Sequence, residues 1–225
     1  MPAKNAKDLQ NWNNENPDKK TYVRYSTEND EIIVYFCDEK GDELTAIRSM
    51  ISDEKNRPHG KIRAIYDPGK PFGECLGAYI VKLTSQTLKG WGPMLYDCLI
   101  VLAGEKGVTP DRVLVTSEAA FVWKTYFEKR KSQLKTIPLD LDGTLTPDNP
   151  DDDCTSSHKT MAELNSEEID DITLNAINNV YKDKGISTLS ELQNSGLVYN
   201  NLSESRKLKS FIRETIKRTL RQLRN

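Results

Sequence analysis

A strand, a glycine turn and a helix follow one another directly between residues 77 and 107, and this order constrains the fold more than any other stretch. Residues 77–84 (GAYIVKLT) have the composition of a strand, and residues 88–93 (LKGWGP) place two glycines one residue apart before a proline. Proline suits the first position of a helix. Apolar side chains then recur at i, i+3, i+4 and i+7, at Leu95, Cys98, Leu99 and Leu102. These features predict a strand that turns tightly into a helix with one apolar face.

The residues on either side extend this unit into a mixed sheet. Period-two alternation predicts an antiparallel meander before it, with strands at 21–26, 31–36, 44–51, 61–66 and 76–83. A further strand and helix are expected at 112–117 and 118–130, with Ser117 as the helix cap, followed by a strand at 134–141. The sequence therefore predicts a fold of the α+β or α/β class, with a mixed, mostly antiparallel sheet flanked by helices.

Charge separates the C-terminal third from this core. Between Asp140 and Asp171 there are eleven acidic residues and one lysine. Residues 204–225 carry eight basic residues against two acidic ones, a net charge of +6 in a chain whose net charge is -2. We therefore expect four segments, which are an N-terminal arm at 1–20, the core domain at 21–141, an acidic linker at 142–160 and a helical C-terminal region at 161–225. Helices in that last region are predicted at about 166–182, 188–195 and 205–224.

Several classes of protein are excluded. The longest uninterrupted apolar run, residues 98–103, has six residues, whereas a membrane-spanning helix needs about 20. The first residues lack the apolar segment of a signal peptide, so we expect a cytoplasmic protein. The four cysteines are spread singly and are expected to be reduced thiols. Because there are two histidines and no grouped cysteines, no metal site is expected.

The glycine turn is the candidate functional site. Gly90 and Gly92 let the backbone curl so that successive N–H groups converge, and the helix N-terminus adds partial positive charge. Lys89 supplies a counter-charge, whereas Pro93 removes one N–H group. This chemistry suits a pyrophosphate, although the same pattern is also typical of a plain tight connection between a strand and a helix.

Two segments resemble the GCN5-related N-acetyltransferase (GNAT) superfamily, in particular its divergent phage-encoded members. They are KGWGPML at 89–95 and SEAAFVWKTY at 117–126, and the resemblance covers residues 76–127, about a quarter of the chain. It implies a GNAT-like fold, acetyl-CoA or another acyl-CoA as co-substrate, and an amine-bearing small molecule or protein as acceptor. For a phage-encoded member it also implies the host cytoplasm.

The resemblance implies roles for particular residues. The glycine turn would bind the pyrophosphate of acyl-CoA, and the end of the preceding strand would offer backbone groups to the pantetheine arm and the oxyanion. The cofactor-binding residues are then Leu83, Thr84, Ser85, Lys89, Gly90, Trp91, Gly92 and Met94. Tyr126, with Tyr96 as the alternative, would be the general acid, although Lys124 occupies the position of the family's tyrosine. Glu74, with Asp67 as the alternative, would be the general base.

Two other hypotheses stay open. Asp140-Leu141-Asp142-Gly143-Thr144 matches the nucleophile motif of haloacid-dehalogenase (HAD)-type Mg-dependent phosphatases, in which Asp140 attacks phosphorus and Asp142 protonates the leaving group. The polar remainder of the chain lacks the continuous apolar runs of further parallel strands, which favours an acidic linker instead. The second hypothesis is a non-catalytic phage structural or interaction protein on a GNAT-like fold.

The predicted helix at 205–224 is basic and amphipathic. Its apolar residues recur at helical spacing, at Leu208, Phe211, Ile212, Ile216 and Leu220. Such a helix is expected to bind a protein partner, to mediate self-association or to fold back on the acidic linker. Nucleic acid is less favoured as a partner, because aromatic residues do not alternate with the basic ones and there is no second basic patch.

Overall fold

A seven-stranded sheet organises the part of the chain that the structure, a computed structural model, describes: residues 3–46, 56–68, 77–111, 115–139 and 171–199. The strands are β1 (Tyr22–Glu28), β2 (Glu31–Cys37), β3 (Lys61–Asp67), β4 (Ala78–Thr84), β5 (Val108–Thr109), β6 (Leu134–Pro138) and β7 (Asn179–Asp183). The helices are α1 (Ala6–Glu15), α2 (Gly92–Ala103), α3 (Ser117–Arg130), α4 (Asp171–Ile177) and α5 (Thr188–Asn194). The architecture is therefore mixed α+β.

The sheet is open and mostly antiparallel, with the order β1-β2-β3-β4-β5-β7-β6. Strands β1 to β4 form an antiparallel meander. Helix α2 then carries the chain to β5, which pairs with β4 in parallel. Strand β7 lies between β5 and β6 and is antiparallel to both. The parallel pair of β4 and β5 in the middle of the sheet interrupts the alternation of strand directions.

The meander follows the alternation of apolar residues closely. In β2, Ile32, Val34 and Phe36 are buried while the residues between them are partly exposed. Strands β1 to β4 lie within two residues of the bounds predicted for 21–26, 31–36, 61–66 and 76–83. The sequence pattern alone therefore places most of one half of the sheet.

Helix α2 forms at the predicted place but is more deeply enclosed than a one-faced helix. Leu95, Cys98 and Leu99 are buried as expected, and Met94 and Ile100 on the other sides of the helix are buried as well. Pro93 lies in the first turn of the helix. The helix ends at Ala103 and is capped by Gly104, three residues before the predicted end at residue 107. A helix enclosed on most sides belongs to the core of the protein.

Three predicted elements differ from the structure. Residues Leu44 and Thr45 are not in a strand, and neither are Val115 and Thr116; residues 47–51 and 112–114 lie outside the described part. The helix predicted at about 166–182 instead ends at Ile177, and β7 follows. Tertiary contacts decide that strand, because Tyr181 pairs with both neighbouring strands and its ring stacks on Trp123 at 5.0 Å. The helix cap is also Thr116, whose hydroxyl accepts the Ala119 N–H.

Both segments that flank the predicted core domain contribute to a common apolar core. Ala6 and Leu9 of α1 are buried in it, although residues 1–20 were expected to form an arm. Ile177 and Leu192 from the C-terminal region belong to the same cluster. The acidic linker at 142–160 and the basic segment at 205–224 lie outside the described residues. No helix among the described residues has the length and apolar character to span a membrane.

Candidate functional site

A cavity opens at the carboxyl end of β4. This strand pairs in parallel with β5 at Tyr79–Val108 and Ile80–Thr109 and continues to Thr84, which lines the cavity. The cavity has a volume of about 620 Å³ and lies between the end of β4, the glycine turn and helix α3. Ligands of α/β proteins commonly bind at such a place, beyond the carboxyl ends of parallel strands. Its volume is within the range of small-molecule sites, roughly 300–1,000 Å³.

The glycine turn forms one wall of the cavity, and its backbone geometry limits how it can bind an anion. Gly90 has φ of 92°, a conformation that only glycine adopts readily. The Trp91 N–H donates to the Leu88 carbonyl at 3.0 Å, and the Met94 N–H donates to the Trp91 carbonyl at 3.2 Å. Because these two groups are already used and Pro93 has no N–H, an anion would be bound by the N–H groups of Gly90 or Gly92.

The structure brings five of the eight predicted cofactor-binding residues to the cavity wall. These are Thr84, Ser85, Lys89, Gly90 and Gly92. The other three, Leu83, Trp91 and Met94, are not among the residues that line it. Trp91 and Met94 are buried, and the Trp91 ring packs edge-on against Phe36 at 5.9 Å. Their side chains therefore hold the turn in place from the core side.

The end of β4 is tied to the start of β3 through Ser85. The Ser85 N–H donates to the Lys61 carbonyl at 2.9 Å, and the Ser85 hydroxyl accepts the Lys61 N–H at 2.7 Å. The Ser85 N–H is thus not available as an oxyanion donor in this conformation. Beyond the Ile80–Thr109 pair the chain stays close to β4, because Lys82 Nζ pairs with Asp111 Oδ1 at 3.1 Å.

The charges around the cavity all have the same sign. Among the described residues that line it, four are basic and none is acidic: Lys61, Lys89, Lys129 and Arg130. Lys61 also pairs with Glu43 at 2.9 Å, outside the cavity wall. Because Lys61 is paired with Glu43 and Arg130 with Asp97, Lys89 and Lys129 are the two lining cations most able to attract an anionic ligand and raise its local concentration.

Arg130 connects the cavity to a buried polar cluster centred on Asp97. The Asp97 side chain is 1% exposed and accepts three hydrogen bonds: from the Tyr126 hydroxyl at 2.6 Å, from the Thr188 hydroxyl at 2.6 Å and from Arg130 Nη2 at 2.8 Å. Arg130 Nη1 donates to Gln133 at 3.1 Å. The pKa of the Asp97 carboxyl is raised, because burial outweighs the hydrogen bonds from Thr188 and Tyr126 and the charge of Arg130, which lower it. The cluster joins helices α2, α3 and α5.

Tyr126 lines the cavity, but its hydroxyl is committed to this cluster. The side chain is buried, and its proton is donated to Asp97. Burial, the charge of Asp97 and the hydrogen bond to it raise the Tyr126 pKa well above 10.0. Tyr96, the alternative acid, also lines the cavity, and burial raises its pKa. A proton transfer from Tyr126 to a ligand therefore needs the hydroxyl to turn away from Asp97.

Of the two predicted bases, the structure describes only Asp67. Glu74 lies outside the described residues, as do Asp140 and Asp142 of the phosphatase hypothesis. Asp67 ends β3 and is not among the lining residues. Where the structure describes the chain, no three His, Cys, Asp or Glu side chains form a group that could hold a metal ion.

Sequence reasoning placed Tyr126 of helix α3 at this site but missed the rest of the cavity wall that the helix forms. Helix α3 contributes Phe121 and Val122 near its N-terminus and Lys129 and Arg130 at its C-terminus. Residues three or four apart share a face of a helix, so Val122, Tyr126, Lys129 and Arg130 could have been grouped by spacing. Spacing groups these residues on one face of the helix, but it does not indicate that this face lies opposite the glycine turn.

The comparisons with known proteins add no assignment. The chain matches no protein-family model, no curated protein and no solved structure. The function of the protein is therefore inferred from the geometry and charge of this cavity.

Proposed function

We propose that this protein binds an acyl-coenzyme A in the cavity between β4, the glycine turn and α3, and that it transfers the acyl group to an amine. The observation that carries the proposal is the position of a cavity whose described lining has basic but no acidic side chains at the carboxyl end of β4, beside the N-terminus of helix α2. The anionic pyrophosphate would lie at Lys89, Gly90 and Gly92, and the pantetheine arm would lie in the cavity beside Thr84 at the end of β4. The resemblance of residues 76–127 to the GNAT superfamily supports the same assignment.

The transfer needs few groups from the protein. The amine nitrogen attacks the thioester carbonyl carbon, a C–N bond forms, the C–S bond breaks, and the thiolate leaves with the proton that the amine gives up. Exclusion of water and alignment of the two reactants in the cavity supply much of the rate. Tyr126 and Glu74 are the proposed acid and base.

Calorimetry with acetyl-CoA tests the binding step, and the Gly92→Arg variant tests its location. A Cβ atom at Gly92 would lie 3.1 Å from the Thr87 hydroxyl, so a long side chain here is directed against the cavity wall. We expect Gly92→Arg to abolish binding. The matched control is Asn194→Arg at the end of α5, an exposed position outside the cavity wall that adds the same charge. Absence of binding by the wild-type protein, or equal binding by Gly92→Arg, would overturn the proposal.

One observation favours a second function, that of a non-catalytic acyl-CoA-binding or interaction protein. The two tyrosines among the described residues that line the cavity, Tyr96 and Tyr126, are buried, and burial raises the pKa of each. The two functions differ in one measurement, the release of free CoA thiol in the presence of a panel of primary amines. Tight binding of acetyl-CoA without amine-dependent thiol release would select the non-catalytic function.

A further inference from the structure

The mouth of the cavity carries two neighbouring apolar side chains that are not covered. Phe121 is 67% exposed and Val122 is 37% exposed, and both line the cavity from the first turns of helix α3. The chain has five phenylalanines, and Phe36, the other one whose burial is described, is completely buried in the core. Exposed apolar side chains that are scattered singly need no explanation, but a contiguous pair at the rim of a cavity marks a surface that a ligand can cover.

The wall formed by α3 changes character along the helix axis. Ala119, Phe121 and Val122 make its N-terminal part apolar, whereas Lys129 and Arg130 make its C-terminal end cationic. Eight residues separate Phe121 from Lys129, which corresponds to about 12 Å along a helix. A ligand that satisfies the whole wall therefore has an anionic part and an apolar part about that far apart.

We infer that the acyl group of the co-substrate is longer than acetyl and that its apolar chain packs on Phe121 and Val122. The inference rests on the proposed function, because it takes acyl-CoA as the ligand of this cavity. An acetyl group offers a single methyl group, which covers little of two side chains that are this exposed. A chain of about four to eight carbons covers them and leaves the anionic part of the ligand with the cations.

The inference predicts how affinity depends on chain length. A fully buried methylene group strengthens binding about fourfold. A methylene group that is buried on one side only, at a cavity mouth, contributes about half of that free energy and strengthens binding roughly twofold. Hexanoyl-CoA has four methylene groups more than acetyl-CoA, so we expect it to bind roughly 16-fold more tightly. CoA without an acyl group is expected to bind no more tightly than acetyl-CoA.

The experiment is calorimetry of the full chain with CoA, acetyl-CoA, butanoyl-CoA, hexanoyl-CoA and octanoyl-CoA. The test variant is Phe121→Ser, which removes an exposed ring and should leave folding intact. The matched control is Ile172→Ser on helix α4, which removes another exposed apolar side chain, 50% exposed and outside the cavity wall. We expect Phe121→Ser to flatten the dependence on chain length without changing the affinity for CoA, and Ile172→Ser to leave both unchanged.

The outcomes separate the inference from the function on which it rests. A flat dependence on chain length in the wild-type protein, with clear binding of CoA, overturns the inference and leaves acyl-CoA binding in place. The inference is also overturned if Phe121→Ser and Ile172→Ser behave alike, or if Phe121→Ser changes only the oligomeric state in sedimentation, which would assign the patch to a protein contact. Failure of every ligand to bind overturns the proposed function itself.

Discussion

The cavity wall and the Asp97 cluster meet at Arg130, yet they differ in how their charges are compensated. In the cluster, a carboxylate that is 1% exposed is matched by three donors, so every polar group has a partner within the protein. In the cavity, cations from three parts of the chain converge without a carboxylate in the lining. A satisfied buried cluster stabilises a fold, whereas a concave surface with charge of one sign is suited to a ligand. Arg130 belongs to both, which lets the fold position a cation for the ligand.

The largest expected effect on stability is that of a substitution at Asp97. We expect Asp97→Ala to lower the free energy of unfolding by about 3–5 kcal/mol, because removing one partner of a buried ion pair leaves the other charge uncompensated. Urea unfolding measures this loss. Glu128→Ala is the control, since Glu128 is an exposed acidic residue on helix α3 and should change stability by less than about 0.5 kcal/mol. Equal losses for the two variants would break the comparison.

Tyr126 is expected to behave as a member of the cluster. Tyr126→Phe removes one hydrogen bond to a charged acceptor and should cost about 1.5–3 kcal/mol of stability, with acetyl-CoA affinity nearly unchanged. Tyr25→Phe is the control, because the Tyr25 hydroxyl makes only a 3.5 Å contact with Gln193 at the surface. A lower kcat with unchanged affinity would support the proposed role of Tyr126 as the acid, whereas an unchanged kcat would leave Tyr126 as a member of the cluster alone.

Alkaline pH should affect the buried side of the molecule through its thiols. Burial raises the pKa of Cys37 from 9.0 to about 12, so the thiol ionises more readily in the unfolded chain than in the folded one. Its contribution to stability is complete below pH 9 and is lost as pH rises from about 9 to about 12. The loss approaches about 1.4 kcal/mol per pH unit for one such group.

Unfolding curves at pH 8 to 11 measure this effect, and Cys37→Ala supplies the comparison. The variant lacks the titrating thiol, so its stability should fall less steeply with pH than that of the wild-type protein. Parallel pH profiles for the two proteins would show that Cys37 is accessible to solvent. Iodoacetamide provides an independent check, because Cys37 and Cys98 are both buried free thiols and should react only on unfolding.

The smallest effect is expected on the cavity side, at Lys129. Lys129→Glu should weaken acetyl-CoA binding by roughly fivefold at low salt, and the difference should shrink as salt is added, because exposed charges are screened. Stability should not change measurably. Lys131→Glu is a closely matched control, since Lys131 is exposed two residues further on and is not among the lining residues. Equal weakening by both variants would show that net charge, and not the cavity, sets the affinity.

Local patterns predicted the part of the fold that they control. Alternation placed β1 to β4, and Pro93 together with the apolar spacing placed helix α2. The same reasoning failed at β7, where the helical pattern continues through Val180 and Tyr181 but the neighbouring strands impose an extended backbone. The candidate site was predicted only in part: the glycine turn, the end of β4 and Tyr126 line the cavity, whereas Phe121, Val122, Lys129 and Arg130 of helix α3 were missed.

The sequence by itself determined the meander and the strand, glycine turn and helix in the middle of the chain, because each depends on residues close to one another along the chain. Only the tertiary structure decided that Trp91 and Met94 face the core, that the Tyr126 proton is donated to Asp97, and that Lys61, Lys89 and Lys129 surround one cavity. Those facts depend on which faces of distant elements meet. Short-range spacing contains no information about that choice; packing of the whole chain makes it.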